Sequence, residues 1–377
     1  MKNLCSKSWI RRKSWPKAPA GRARVLRVAD MFSGCGGLSL GANEAARRNG
    51  LKFRVVLAVD LDVDALAVYR ANFGVDAHTA RTADVSSMFA GRLPAKLSGA
   101  EKRLRKKCGR VDLLMAGPPC QGHSDLNNSS RRQDPRNSLY LRVVRAAKVL
   151  RPKVVIIENV PSVIHDKGRV VARATNGLKA LGYEISARLV EAEAVGLAQT
   201  RRRYFLVAVK GKALDLSFLD PTKPAKPKTV RDYIGDLVGL NGSRLPVFDF
   251  ASGMSKVNRR RVNYLYRHRL RDLPNPQRPK CHRGDHSYVS MYGRLAWTKP
   301  AQTITSGFGS MGQGRFLHPS KRRTLTPHEA ARLQGFPDFF KFSKISSRTA
   351  LHTTIGNAVP PKLVAIFIDR LIRHGHF

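Results

Sequence analysis

The chain has 377 residues, long enough for one large domain with a smaller one appended, and its 42% of hydrophobic residues can bury a proper core. Stapled miniproteins and wholesale disorder are thereby excluded. Lys and Arg number 69 against 26 Asp and Glu, a formal net charge of +43, which points to work beside a polyanion, with nucleic acid first and a generically basic surface as the plainer alternative.

The five cysteines, Cys5, Cys35, Cys108, Cys120 and Cys281, contain no C-x-x-C pair, so neither a disulfide framework nor a metal site is expected. No apolar stretch approaches the ~20 residues that span a bilayer, and a soluble chain in a reducing compartment is expected.

Residues 1–28 carry nine Lys/Arg and no acid, with Trp9 and Trp15 among them, and read as a basic arm outside the core. From Val25 onward short apolar strands alternate with helical segments: a strand over 25–32, a helix from about Leu38, a strand over 54–60 and a helix over 63–72. The rhythm continues with a strand over 111–116, a helix over 138–150, a strand over 154–157, a helix over 170–181 and a strand over 203–209. This βαβ repetition predicts an α/β fold built on a doubly wound, mostly parallel sheet. After Val209 the rhythm stops, and Pro221, Pro224 and Pro227 punctuate a Lys-rich linker to a second, smaller region. There, ten Lys/Arg face the single acid Asp272 between Ser255 and Arg283, interleaved with Tyr264, Tyr266 and His268, and residues 307–314 are glycine-rich. Thr326-Pro327 opens a further helix, and Pro360-Pro361 precedes a last apolar helix over 363–371.

Parallel sheets place ligands at the carboxyl ends of their strands, and the chemistry-bearing residues fall there. Asp30-Met31-Phe32-Ser33-Gly34-Cys35-Gly36-Gly37 is a glycine-rich turn where missing side chains let a nucleotide-like ligand approach the backbone; a plain tight turn is the alternative. Ser39 stands where the dinucleotide fingerprint needs its last glycine, which disfavours a nicotinamide or flavin cofactor. The second strand ends at Asp60, where an acid can accept from both ribose hydroxyls, with Leu61 beside an adenine face and Asp84 able to accept from the adenine amino group. Each acid alone is equally an ordinary helix cap.

In Gly117-Pro118-Pro119-Cys120-Gln121-Gly122 two prolines fix the chain before a cysteine at a strand end, so that its thiol could be held outward; a buried, inert thiol is the alternative. Arg201 and Arg203 could supply the cationic help that a thiolate needs. Glu158-Asn159-Val160-Pro161 brings a carboxyl to the same edge. In Gln199-x-Arg201-x-Arg203 strand alternation sets three side chains on one face, as it would in an edge-strand charge cluster.

Taken in order, these segments resemble the cytosine-5 DNA methyltransferases that use S-adenosylmethionine. The resemblance covers residues 27–372 and includes the glycine turn, the acid ending the second strand, Pro-Pro-Cys-Gln, Glu-Asn-Val and Gln-x-Arg-x-Arg. After a variable region it continues with Leu325-Thr326-Pro327-His328-Glu329-Ala330-Ala331-Arg332-Leu333-Gln334 and Gly356-Asn357-Ala358-Val359. Leu61 and His123 depart from it, standing where larger stacking and aromatic side chains are common.

The resemblance implies a Rossmann-like, S-adenosylmethionine-binding catalytic domain over 29–212 and a target-recognition domain over 213–347. Residues 348–377 would return to the first domain, and 1–28 would form the basic arm. Cys120 would be the nucleophile that adds to carbon 6 of cytosine, and Glu158 would hydrogen-bond ring nitrogen 3. Arg201, orienting the base oxygen and Glu158, and Arg203 complete the catalytic set. Phe32, Gly34, Gly36, Asp60, Leu61, Asp84, Pro118 and Asn357 would hold the cofactor, with no metal required.

Duplex DNA would lie in the cleft with its target base flipped out, residues 122–136 closing over it, and Gln121, Ser124, Gln199, Arg259, Arg260 and Arg261 in contact. A monomer in the cytoplasm beside the nucleoid is expected, with a cognate restriction endonuclease as a further partner. Two rivals remain. A tRNA methyltransferase family shares the catalytic motifs, but the long basic recognition region favours duplex DNA. A catalytically silent nucleic-acid-binding protein would not need intact Cys120, Glu158 and Asn357.

Overall fold

The computed structural model describes residues 7–119, 138–211, 215–217, 227–239, 246–283 and 290–377. They divide into two compact units, the larger drawing on 16–191, 202–224 and 359–377 and the smaller on 1–15, 192–201 and 225–358. Eight strands follow in chain order: Val25–Met31 (β1), Lys52–Asp60 (β2), Ala80–Thr82 (β3), Leu113–Ala116 (β4), Val154–Asn159 (β5), Tyr183–Glu191 (β6), Gln199–Thr200 (β7) and Arg202–Lys210 (β8). All but β7 form one sheet of order β3-β2-β1-β4-β5-β8-β6, in which only β8 runs antiparallel to its neighbours.

Burial on both faces explains why β4 and β5 read as unbroken apolar runs. Every residue of both strands is buried. On one face Leu114, Ala116, Val155, Ile157, Leu206 and Ala208 pack with Val143 and Ala147 of helix Leu139–Leu150 and with Ala174 and Leu178 of helix Val170–Ala180. Alternation turns Phe205 to the opposite face, where its ring centroid lies 4.8 Å from that of Phe367 on helix Pro361–Arg373. That helix also packs on helix Gly37–Arg48 so closely that a Cβ on Gly41 would stand 2.1 Å from the Pro361 carbonyl oxygen.

The sheet and the helices above match the expected rhythm, but β3, β6 and helix Gly99–Cys108 were not anticipated. The edge strand β6 is only half-buried along most of its length, and the helix is so rich in Lys and Arg that Leu104 and Cys108 are its only buried apolar residues. The reading of Gln199, Arg201 and Arg203 as one strand face is corrected. β7 pairs in parallel with Ala301–Gln302 (β9) in the smaller unit, and the main sheet takes over only at Arg202.

In the smaller unit residues 7–15 are no free arm. Trp9 and Ile10 are buried, the Trp9 ring meets Phe339 edge-on at 5.3 Å, and Trp15 lies 4.6 Å from the same ring. The amide of Asp338 donates to the Ile10 carbonyl at 3.0 Å and that of Phe339 to the Arg12 carbonyl at 2.8 Å. Burial of the Trp9 indole, with the half-buried Trp15 packed on the same ring, thus outweighs the basic character on which the sequence reading rested.

Helix Arg348–Asn357 likewise belongs to the smaller unit, and the chain rejoins the larger one only from Val359, later than the expected boundary at 348. Helix Pro327–Leu333 begins on a Thr326/Glu329 capping box. Its Arg332 bridges Asp236 (2.8 Å) and Asp338 (2.6 Å), and its His328 stands between Asp249 (2.7 Å) and Asp338 (3.1 Å). Among the described residues no helix is long and apolar enough to cross a membrane.

Candidate active site

From β1 the sheet extends through β2 and β3 in one direction and through β4 and β5 in the other. The carboxyl ends of β1 and β4 therefore flank the point where strand order reverses, the place where doubly wound sheets bind ligands. Beyond Met31 the backbone turns through left-handed conformations at Phe32 (φ 55°), Gly34 (φ 50°) and Gly36 (φ 97°). The non-glycine Phe32 bears a cost of roughly 1 kcal/mol or more there, which the surrounding hydrogen bonds must hold in place. Ser33 donates its amide to the Val59 carbonyl (3.1 Å), Gly36 to Ser33 (2.9 Å), and Gly34 to Asp60 Oδ2 (2.7 Å).

Asp60 accepts a second amide, from Asp62, at Oδ1 (2.9 Å), while its carbonyl accepts from Ala83 at 3.0 Å. The turn, the acid and the approach to Asp84 are thus fastened together at one edge. Burial raises the Asp60 carboxyl above its ordinary range, against the pull of the Asp62 and Gly34 amides.

The residues at this edge fit an adenosine group. Each Asp60 oxygen has a lone pair left for a hydroxyl. Leu61 is 68% exposed and offers an apolar face, and a Cβ on Gly34 would meet nothing within 4 Å. Ser33 Oγ is buried with no hydrogen-bond partner among the described residues. Asp84 is exposed and caps helix Val85–Met88 by accepting from the Ser86 amide at 2.7 Å, the alternative kept open for it.

Three residues beneath the turn escaped the sequence reading of the site. Ser39 Oγ donates to the fully buried Asp30 Oδ2 at 2.6 Å and lies 2.7 Å from the Tyr69 hydroxyl. Loss of solvent pushes the Asp30 carboxyl up to about 8, with the Ser39 hydroxyl opposing the rise. Ser39 had served only as a departure from the dinucleotide fingerprint, and nothing in the spacing pointed to Tyr69, thirty residues further on. The aromatic ring also accounts for Gly36, where a Cβ would lie 2.4 Å from Phe73 and 2.9 Å from Tyr69. Gly37 is required by the Val359 carbonyl, 2.2 Å from where its Cβ would be. Cys35, in the same turn, is buried and its thiol is pushed up by loss of solvent, so it is no nucleophile.

At the end of β4 the Gly117 amide donates to Met31 (3.3 Å), and Asn159 Nδ2 donates to the Pro118 carbonyl (3.3 Å). The chain leading towards Cys120 is thereby tied to β1 and β5. Cys120, Gln121, Ser124 and the 122–136 segment lie outside the described residues.

Glu158, in the last turnout of β5, is buried. The antiparallel register sets it opposite Phe205, and Arg203, two residues earlier on β8, points to the same face. Arg203 Nε consequently stands 2.9 Å from Glu158 Oε1. Within this unit Arg203 holds the Glu158 carboxylate as an ion pair.

Arg201 is in the smaller unit, buried in a polar knot. Its guanidinium donates to Gln334 Oε1 (3.2 Å), Gln199 Oε1 (3.5 Å), the Ile304 carbonyl (3.5 Å) and the Ala358 carbonyl (3.4 Å). Gln199 is fully buried and donates to Gln334 Oε1 and the Leu333 carbonyl, both at 3.1 Å. Its expected role as a DNA contact is corrected, because it has no surface to present. Gln334 closes the knot by donating to the Ile355 carbonyl at 2.7 Å. Asn357 is exposed at the end of helix Arg348–Asn357 in this unit, following Gly356, whose missing Cβ would stand 2.1 Å from the Ser306 amide. Arg259 and Arg260 are exposed on helix Lys256–Arg267.

A family model for C-5 cytosine-specific DNA methylase matches residues 26–373. The Type II methyltransferase M1.BsuMI of Bacillus subtilis is 45% identical over 361 residues, covering 96% of this chain and 83% of that relative. The Type II methyltransferase M1.HphI of Haemophilus parahaemolyticus is 30% identical, covering 92% and 87% respectively. The solved structure of the S. pombe Dnmt2 methyltransferase superposes with a TM-score of 0.63 over 94% of this chain and 100% of that one, and at 19% identity it speaks for the fold alone. With the matched region running from β1 to the last helix, the chain belongs to the C-5 cytosine-specific DNA methylase family.

Proposed function

We propose that the chain transfers a methyl group from S-adenosylmethionine to carbon 5 of a cytosine in a specific duplex DNA sequence, through a covalent bond to Cys120. The observation that carries this reading is the buried Glu158–Arg203 pair at the sheet edge, beside the Asn159-tethered Pro118 that leads to Cys120.

Carbon 5 of cytosine is a poor nucleophile. Attack of the Cys120 thiolate on carbon 6 forms an S–C bond and delivers the ring's π pair to carbon 5, making it enamine-like. Glu158, fixed by Arg203, hydrogen-bonds ring nitrogen 3 and stabilises the charge that develops in the ring. The bound S-adenosylmethionine supplies an electrophilic methyl on a sulfonium. Carbon 5 then loses its proton to a base, and the carbon 6–sulfur bond breaks, restoring the ring double bond and the thiolate.

Asp60 would take the ribose hydroxyls, Leu61 an adenine face and Asp84 the adenine amino group. Phe32, Gly34, Gly36, Pro118 and Asn357 would complete the cofactor's contacts. A base within a duplex cannot present both faces to a thiol and a sulfonium, so it must leave the stack. The net charge of +43 supports duplex DNA as partner, with the protein acting as a monomer in the cytoplasm. A cognate endonuclease is proposed from the relatives' description as Type II methyltransferases.

Bisulfite sequencing of DNA and total RNA from cells expressing the chain tests the reading. Methylcytosine at one recurring DNA sequence supports it. Modification confined to RNA, or none at all, overturns it.

A further inference from the structure

Helix Lys256–Arg267 buries Val262 and Leu265 against Leu273, Met311 and Leu317, which fixes the direction of its opposite face. Lys256, Arg259, Arg260, Asn263 and Arg267 follow one another at i, i+3, i+4, i+7 and i+11 and form one stripe on that face. The four basic residues are exposed, and none makes a side-chain hydrogen bond or ion pair among the described residues. Residues 256–271 hold seven Lys/Arg and no acid. The acids on either side are engaged elsewhere, Asp249 with His328 (2.7 Å) and Asp272 with Arg315 (2.6 Å). The stripe is therefore a row of uncompensated cations about 16 Å long, roughly half a turn of B-DNA.

Arg261, expected from the sequence to touch DNA beside Arg259 and Arg260, is set apart from the stripe because its guanidinium is spent within the unit. Its Nε donates to the Gln277 carbonyl (3.1 Å), its Nη1 to Asn258 (2.8 Å), and its guanidinium lies over the Tyr292 ring at 5.9 Å. Sequence readout needs side chains held in a fixed orientation, whereas phosphate contact needs only mobile charge at the right spacing. The one amide in the stripe, Asn263, accepts from Arg322 at 3.3 Å.

We propose that the solvent face of helix Lys256–Arg267 lies along the phosphate backbone of the DNA, with Lys256, Arg259, Arg260 and Arg267 adding affinity but no sequence preference. This rests on the reading of the chain as a duplex DNA methyltransferase and assigns its backbone contacts. Neutralising a phosphate contributes about 0.9 to the slope of log K against log salt. In the full-length chain the triple variant Arg259→Gln/Arg260→Gln/Arg267→Gln should therefore bind its target duplex with a slope shallower by about 2.7. Over a fourfold rise in salt it should lose about 40-fold less affinity than the parent, and the methylated sequence should stay the same. Arg261→Gln should leave the slope unchanged.

Should the triple variant fail to fold, Arg259→Gln and Arg260→Gln singly should each lower the slope by about 0.9. An unchanged slope, or a relaxed methylated sequence, in a parent that methylates DNA overturns this placement while leaving the function intact. A parent that neither binds nor methylates DNA overturns both.

Discussion

Replacing Arg203 with Met removes the cation beside Glu158 while keeping most of the apolar stem. At 2.9 Å the attraction between the two groups is at most about 6 kcal/mol with an effective dielectric near 20. Both side chains are largely withdrawn from water, with 13% and 7% of their surface exposed, and their desolvation takes back part of that attraction. A net coupling of about 2–4 kcal/mol remains, and if it is used to hold Glu158 in the transition state, kcat falls roughly 30- to 1,000-fold. Single-turnover transfer of a radiolabelled methyl group at saturating DNA and cofactor reads this directly, with KM for DNA nearly unchanged. Arg203→Lys should recover part of the rate, because it returns the charge without the Nε geometry. Since Arg203 acts through Glu158, the double variant Arg203→Met/Glu158→Gln should be little slower than Glu158→Gln alone. Fully additive losses, or a rise in KM with kcat intact, would refute the positioning role.

Gly41→Ala places a methyl 2.1 Å from the Pro361 carbonyl. The overpacking cost of ~1–3 kcal/mol outweighs the ~1 kcal/mol gain in helix propensity, and a Tm that holds or rises would contradict the close approach. Asp30 has a folded pKa of about 8 against an ordinary 3.8, so its stabilising neutral form is fully present at acid pH and is lost as pH climbs towards 8. The loss is roughly 4 kcal/mol by pH 7. Asp30→Asn carries no such charge, so its urea midpoint should rise relative to the parent between pH 4 and 8, and parallel pH curves would show that Asp30 does not resist ionisation. Trp9→Ala should cost about 3 kcal/mol because the indole is buried against Phe339, whereas detachment of residues 7–15 without loss of stability would show that they are only an arm.

The sheet was legible because β4 and β5 are buried on both faces and read as continuous apolar runs, and because glycine or proline marks the turns after β1 and β4. β6 was missed although Tyr183, Ile185, Ala187 and Leu189 alternate with Glu184, Ser186 and Arg188, a short strand pattern whose edge position leaves all but Tyr183 and Val190 partly or fully exposed. At the site, the Asp60 and Gly34 positions could be read because sequence spacing reports strand ends. The partner of Glu158 could not. That Arg203 pairs with it depended on the main sheet taking up the chain only at Arg202, a break of register that two-residue alternation conceals. The same limit hid the burial of Gln199, whose amide is spent on Gln334, far along the sequence. Basic residues misled in the opposite direction at 7–15, where charge masked two anchoring indoles.

Covalent attack by Cys120 is the central claim, and the most direct test is a duplex carrying 5-fluorocytosine at the methylated position. Fluorine cannot leave as a proton does, so the carbon 6–sulfur bond that normally breaks should persist after methyl transfer. Intact mass spectrometry should then find the chain joined to one DNA strand with one methyl added, and peptide mapping should place the bond on Cys120, with none formed by Cys120→Ser. An active preparation that methylates ordinary DNA yet forms no adduct, or forms one at another cysteine, would contradict the mechanism.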